Sequence, residues 1–210
     1  YRGWFVTSSI RRSHVDAIAA AVDIPGRAYC RALADITDEW LVDLFDQALA
    51  QSDRPGGRVA LLAIGGYGRG ELAPQSDLDL LLVHDTKAKK VAKEIEPLAS
   101  AIWYPLWDSG VKLGHAVRRL DEQLDLASTD LDSATALLTA RPLAGDDELA
   151  EQVVAAGLSS WRKHSARHLS ELRDRVRIHL VPLLCSGLPP APLLSPFFAP
   201  PLPPFLPRSW

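Results

Sequence analysis

The chain has no methionine and only two cysteines, Cys30 and Cys185. Two isolated cysteines build neither a disulfide framework nor a zinc knuckle, so a reducing, cytoplasmic setting is expected. A basic excess is missing as well. Twenty-three Lys and Arg stand against 26 Asp and Glu, a formal net charge of -3, so no overall positive field recruits nucleic acid. The stretch from Tyr1 to Ile10 lacks the long apolar core and small-residue cleavage site of a signal peptide. Without a methionine, Tyr1 is not expected to be the biological start. The sequence reads as a fragment, an alternative-start product or an incomplete gene.

What is present divides into three textures. An apolar fraction of 47% with 23% charged residues is that of a soluble globular chain. Residues 1–57 read as a helical segment. Leu33, Ile36, Trp40, Leu44 and Ala48 recur at three- and four-residue spacing, the pattern of one buried helical stripe. Thr37 and Asp38 could cap a helix, which allows a break near Ile36. Pro25-Gly26 sets this helix off from an earlier one around Ser13 to Val22, and residues 52–57 have loop composition.

Residues 58–178 read as an α+β domain. Val59 to Ile64 and Leu78 to Val83 are apolar runs of the kind made by strands covered on both faces, the second interrupted only by Asp79. Between and after them a helix is expected over about Lys87 to Ala101, a strand over Val111 to Val117, a helix over Asp130 to Thr139 and a short strand over Ala140 to Ala144. A long helix from about Asp147 to Arg177 closes the domain, with a possible break at Gly157. Strands interleaved with helices imply a sheet flanked by helices.

Residues 179–210 change character. Ten of the 16 prolines lie within 181–207, where no residue is charged. Proline at this density opposes helix and central-strand pairing alike, and the Pro-Pro pairs forbid a membrane-spanning helix of about 20 residues. The abrupt change after about Arg177 is what a frameshift leaves, and the tail is expected to be non-native or disordered. No membrane association is expected.

The chemistry concentrates between Leu61 and Val83. A buried strand runs into Gly65-Gly66, where two glycines let the backbone turn tightly and approach a ligand. Backbone N–H groups in such a turn can cradle a phosphate oxygen. The second strand then opens with Asp77 and Asp79. Alternate strand residues share a face, so the two carboxylates project together with Cα atoms roughly 7 Å apart. Such a pair suits hard divalent cations such as magnesium, which also take oxygens from substrate phosphates. Two metals about 4 Å apart stabilise both the attacking and the leaving oxygen of a phosphoryl displacement. An aspartate in an otherwise apolar strand is costly to bury unless paired or metal-bound, which favours a functional role over a chance surface Asp-x-Asp. Glu71 occupies the position of the last glycine of G-x-G-x-x-G, and no Gly-Lys-Ser/Thr occurs, so neither a dinucleotide fingerprint nor a P-loop is present.

Here the sequence resembles a known family. Gly65-Gly66-x-Gly68-Arg69-x-Glu71-Leu72-x-Pro74-x-Ser76-Asp77-x-Asp79-Leu80-Leu81-Leu82 is similar to the signature of bacterial PII uridylyltransferases, members of the DNA polymerase β-like nucleotidyltransferase superfamily. The similarity continues from Tyr104 to Arg118 and through Leu137-Leu138-x-x-Arg141-x-Leu143-x-Gly145-Asp146. It implies a polymerase β-like mixed sheet with flanking helices over residues 58–178. It also implies transfer of UMP from UTP to a tyrosine of the nitrogen-regulatory protein PII by a two-metal mechanism, some relatives using ATP instead. On that basis Asp77 and Asp79 would bind Mg2+, Gly65 and Gly66 would bind the triphosphate, and Ser76 matches the family's Ser-Asp-x-Asp. The superfamily's third carboxylate has four candidates, Asp108, Asp130, Asp132 and Asp146, or lies beyond Arg177. The alternatives are an inactive nucleotide- or PII-binding fragment and a superfamily member with another acceptor.

Other polar residues have plainer readings. Arg69, in the turn, is a candidate phosphate ligand, with an ordinary exposed arginine as the alternative. Glu71 is expected to pair locally. His84-Asp85 ends a strand, and His115 is expected to be structural rather than a general base. His164 and His168, four apart among Arg162, Lys163 and Arg167, read as a basic solvated face. Trp103, Tyr104 and Trp107 read as core.

Overall fold

A computed structural model of the chain describes residues 26–52, 55–73, 76–87 and 90–186, with Ala92 and residues 179–186 described by backbone alone. The expected helix around Ser13 to Val22 and the proline-rich stretch beyond Ser186 lie outside the described residues.

Helix α1 (Gly26–Gln51) buries Leu33, Ala34, Thr37, Trp40, Leu41, Leu44, Phe45 and Ala48, a stripe at helical spacing. It runs without a break at Ile36. The Thr37 hydroxyl donates to the Leu33 carbonyl one turn back (2.7 Å) and so is satisfied inside the helix rather than capping a new one.

Strand β1 (Val59–Ala63) is buried at every position. A single helical turn, α2 (Gly65–Gly68), follows it. Strand β2 (Leu78–His84) returns antiparallel to β1, from Ala63 opposite Leu80 to Val59 opposite His84. Helix α3 (Val91–Asp108) leads to β3 (Leu113–Arg119), which lies parallel to β2. Helices α4 (Leu120–Thr129) and α5 (Leu131–Leu138) precede β4 (Arg141–Gly145), antiparallel to β1 with a register shift between Leu61 and Leu62. The sheet order is β3-β2-β1-β4, a mixed four-stranded sheet with flanking helices, as expected for an α+β domain.

Both faces of the sheet are covered, which is why its central strands are apolar but for Asp79 and the terminal His84. One face, with Leu61, Ala63, Leu78, Leu80 and Leu82, packs against α1 and α3 through Trp40, Leu41, Phe45, Ile95, Leu98 and Ile102. The other, with Ala60, Leu62, Leu81 and Val83, packs against Ala127, Ala134, Leu137, Leu149 and Val153 of the later helices.

Three elements differ from the sequence reading. Helix α3 passes through Pro97 and Pro105 and ends seven residues later than expected, at Asp108 instead of about Ala101. Ile95, Leu98, Ile102 and Leu106 form one fully buried stripe whose burial outweighs the two lost donors. Helix α4 was not anticipated. Helix α6 (Asp147–Ser186) is unbroken at Gly157 and runs past the expected end near Arg177, so residues 179–186 of the tail expected to be non-native or disordered are helical in backbone, Pro182 included. A Cβ at Gly157 would lie 2.9 Å from the Cβ of Leu137, so this glycine marks a close approach of α6 to α5.

The chain divides into two compact units, the first ending at Glu171 and the second beginning at Leu172. Of the second, the helical residues Leu172–Ser186 are described. No helix among the described residues is long and apolar enough to cross a membrane.

Candidate active site

The site is built where β1 ends beside the start of β2. The Ile64 amide donates to the Asp79 carbonyl (3.0 Å), which extends the β1–β2 ladder one step past Ala63. Gly65 therefore emerges directly beside Asp79. Its φ of +62° is the left-handed conformation that L side chains rarely adopt. The chain then closes the turn of α2, with the Gly68 amide on the Ile64 carbonyl (2.9 Å) and the Glu71 amide on the Gly66 carbonyl (3.1 Å).

Leu78, Leu80 and Leu82 enter the core beneath α1 and α3, so strand alternation puts Asp77 and Asp79 on the opposite face, in line with Leu81 and Val83. Both aspartates are half-buried. No hydrogen bond or ion pair holds the Asp79 carboxylate among the described residues. Burial first, and the neighbouring charge of Asp77 second, push its pKa up to about 6. Two like charges in a partly dehydrated position create a demand for a cation that no hydrogen bond or ion pair of Asp79 meets among the described residues. That donor set suits magnesium, which is held by one or two carboxylates together with substrate phosphates.

The remaining predicted residues divide. Arg69 sits in the turn but is engaged, its Nε donating to Glu71 Oε2 (2.9 Å) and its Nη1 to the Gly65 carbonyl (3.3 Å). Glu71 also receives Arg27 (3.2 Å), and Arg69, then Arg27, hold its carboxyl below the usual range. Ser76 is exposed, and its hydroxyl donates back to the Ala73 carbonyl (2.9 Å).

Of the third-carboxylate candidates, Asp130 caps α5 by accepting from the Ser133 amide (2.7 Å). Asp146 accepts from the Leu149 amide (2.7 Å), and its own amide bonds the carbonyl of Val59, at the end of β1 away from Gly65. Asp108 is exposed at the end of α3. Among the described residues no group of three or more His, Cys, Asp or Glu side chains gathers, so Asp77 and Asp79 stand as a pair.

Beneath the glycine turn lies a polar cluster that the sequence reading missed. Arg141 of β4 reaches Asp38 of α1 with two nitrogens, Nη1 to Oδ2 at 2.5 Å and Nη2 to Oδ1 at 3.0 Å. It also donates to the carbonyls of Tyr67 and Gly68 (3.3 Å each), and the buried Tyr67 hydroxyl donates to Asp38. Burial, reinforced by the Asp38 charge, raises the Tyr67 pKa. Asp38 is thus no helix cap: it lies mid-helix and binds the turn to α1. Arg141 stood within the family-like block, but no sequence spacing pairs it with Asp38.

Two further readings change. His168 is fully buried and stacks on Trp161, with centroids 5.1 Å apart and planes 12° apart, so it does not belong to a solvated face. Trp103 is core, but Tyr104 and Trp107 are 61% and 45% exposed. Trp103 and Trp107 both contact the ring of His115.

Residues 10–115 match the protein family described as "Putative nucleotidyltransferase DUF294". The chain belongs to this nucleotidyltransferase family. The matched span includes the glycine turn and both aspartates. This DUF294 chain is also similar to curated proteins named bifunctional uridylyltransferase/uridylyl-removing enzyme. It is 46% identical to one from Streptomyces coelicolor over 144 residues, 69% of this chain and 16% of the relative. Identity to one from Mycobacterium tuberculosis is 38% over 138 residues, 66% of this chain and 16% of the relative. For one from Phenylobacterium zucineum it is 43% over 129 residues, 59% and 13%. The chain therefore spans about a sixth or less of these relatives' length. A solved structure described as "Crystal structure of the toxin-antitoxin with AMP-PNP" aligns with a TM-score of 0.40 at 13% identity, over 64% of this chain and 97% of that one.

Proposed function

We propose that this chain carries the nucleotidyl-transfer site of a cytoplasmic PII-modifying enzyme, moving UMP from UTP, or AMP from ATP, to a tyrosine hydroxyl of PII. The observation that carries the reading is the carboxylate pair, with Asp79 half-buried and uncompensated beside the left-handed Gly65. The names of the relatives support uridylyl transfer in particular.

Asp77 and Asp79 are the residues that would hold Mg2+. When bound, the metal neutralises the charge that accumulates on the phosphate oxygens as pyrophosphate leaves. Gly65 and Gly66 keep side chains away from the triphosphate, and Arg69, steadied by Glu71, and Ser76 border it. The acceptor oxygen forms a bond to the α-phosphorus, the α–β phosphoanhydride bond breaks, pyrophosphate departs and the phenolic proton is released. Positioning and electrostatic stabilisation supply most of the rate in such a transfer.

The test is incubation of the chain with Mg2+, α-labelled UTP or ATP, and PII. Label is expected on a PII tyrosine, with one UTP-like or ATP-like preference. Asp77→Asn and Asp79→Asn are expected to abolish labelling while circular dichroism stays unchanged. Full labelling by either variant would refute the assignment.

A further inference from the structure

The two arginines that hold the glycine turn are committed elsewhere. Arg69 is bound to Glu71 and the Gly65 carbonyl, and Arg141 to Asp38. Lys112 is not. Its carbonyl accepts from the Leu78 amide (2.8 Å), so the parallel β2–β3 pairing extends beyond Leu78–Leu113 and sets Lys112 alongside Asp77.

The side on which Lys112 lies follows from its neighbours. Val111 and Leu113 both pack into the core beneath α1 and α3. Lys112 between them belongs to the opposite face by strand alternation, the face of Asp77 and Asp79. Gly114, the register partner of Asp79, contributes no side chain between that lysine and the second carboxylate. Lys112 is exposed, and it takes part in none of the ion pairs among the described residues.

We propose that Lys112 is a binding residue for the β- and γ-phosphates of the incoming nucleoside triphosphate. A flexible ammonium on the metal-binding face meets the charge of a triphosphate as a mobile point charge. The two aspartates repel that charge unless a cation intervenes. A monophosphate, lacking the outer phosphates, gains little from the same lysine. This assignment rests on the nucleotidyl-transfer reading, and its test separates the two.

Calorimetric titration of the full chain with the magnesium complexes of UTP and ATP, and with UMP and AMP, decides it. Lys112→Ala is expected to weaken binding of the preferred triphosphate about tenfold or more, the scale of a lost hydrogen bond to a charged group. Monophosphate affinity is expected to stay within about twofold. Lys112→Arg should recover most of the loss and Lys112→Glu deepen it. Equal loss for triphosphate and monophosphate would mark a merely structural role and overturn the proposal. Retained triphosphate affinity in Lys112→Ala, alongside loss of transfer in Asp79→Asn, would leave the transfer reading standing and remove Lys112 from it. A wild-type chain that binds neither triphosphate overturns both.

Discussion

The backbone of Gly65 lies so close to the carboxylate of Asp79 that a Cβ at position 65 would sit 2.8 Å from Asp79 Oδ2. The glycine turn and the metal-binding candidate are therefore one device. The end of β1 leaves Asp79 of β2 a side-chain-free neighbour, and the +62° φ of Gly65 swings the chain away from it.

Gly65→Ala meets both obstacles, a positive φ and the Asp79 oxygen. It is expected to lower stability by about 1–2 kcal/mol and to reduce nucleotidyl transfer further than that loss explains. Denaturant unfolding beside transfer assays checks this. A variant with wild-type midpoint and wild-type transfer would show that the close approach is dispensable.

The raised pKa of Asp79 has a definite sign. Its ionised form is disfavoured in the fold, so the penalty is absent below the unfolded value near 3.8, grows through the interval up to about 6 and is complete above it. In metal-free buffer Asp79→Asn is expected to be more stable than wild type at pH 8 by about 1–2 kcal/mol, after allowance for partial exposure. The gap should close by about pH 4. Thermal melts across that range with EDTA present measure it; a gap that is constant with pH would contradict the assignment of the proton to Asp79.

Arg141 holds three separate parts of the chain, α1 through Asp38, the α2 turn through two carbonyls, and its own strand β4. Arg141→Ala leaves a partly buried Asp38 with the Tyr67 hydroxyl but without its cation and takes a donor from two carbonyls, with an expected loss of about 2–4 kcal/mol. Arg141→Lys keeps the charge but loses the fork and should recover only part of it. A double-mutant cycle with Asp38→Asn should return a coupling of about 1–3 kcal/mol. Additive losses would mean that the two residues act independently.

Gly157 faces Leu137 at a separation that leaves no room for a methyl group. Gly157→Ala would ordinarily favour a helix by about 1 kcal/mol. Here overpacking is expected to reverse the sign and give a net loss of about 1–2 kcal/mol. Leu137→Ala keeps the Cβ that makes the contact, so in the same background it should not restore the wild-type unfolding midpoint.

The strand–turn–strand unit was legible because its signals are local. Unbroken apolar runs report a sheet covered on both sides, paired glycines report a turn, and Asp-x-Asp in a strand reports two carboxylates on one face. Where proline argued for a stop, in α3, a buried stripe three and four residues apart carried the helix onward to Asp108. Local propensity yielded there to tertiary burial. His168 was misread because its charged sequence neighbours lie on the solvent side of α6, while the ring itself turns onto Trp161.

By itself the sequence determined the two central strands, the glycine turn, the pair Asp77 and Asp79, and the kinship that these residues carry. The tertiary structure decided which groups surround that pair. It joined Asp38 to Arg141 across 103 positions, tied Arg69 back to Glu71, used Asp130 and Asp146 as helix caps, and set Lys112 beside Asp77 by strand pairing. Periodicity and motif are properties of neighbouring residues and can be read in one dimension. Pairing between distant strands is fixed by the burial of whole faces, which no local spacing records.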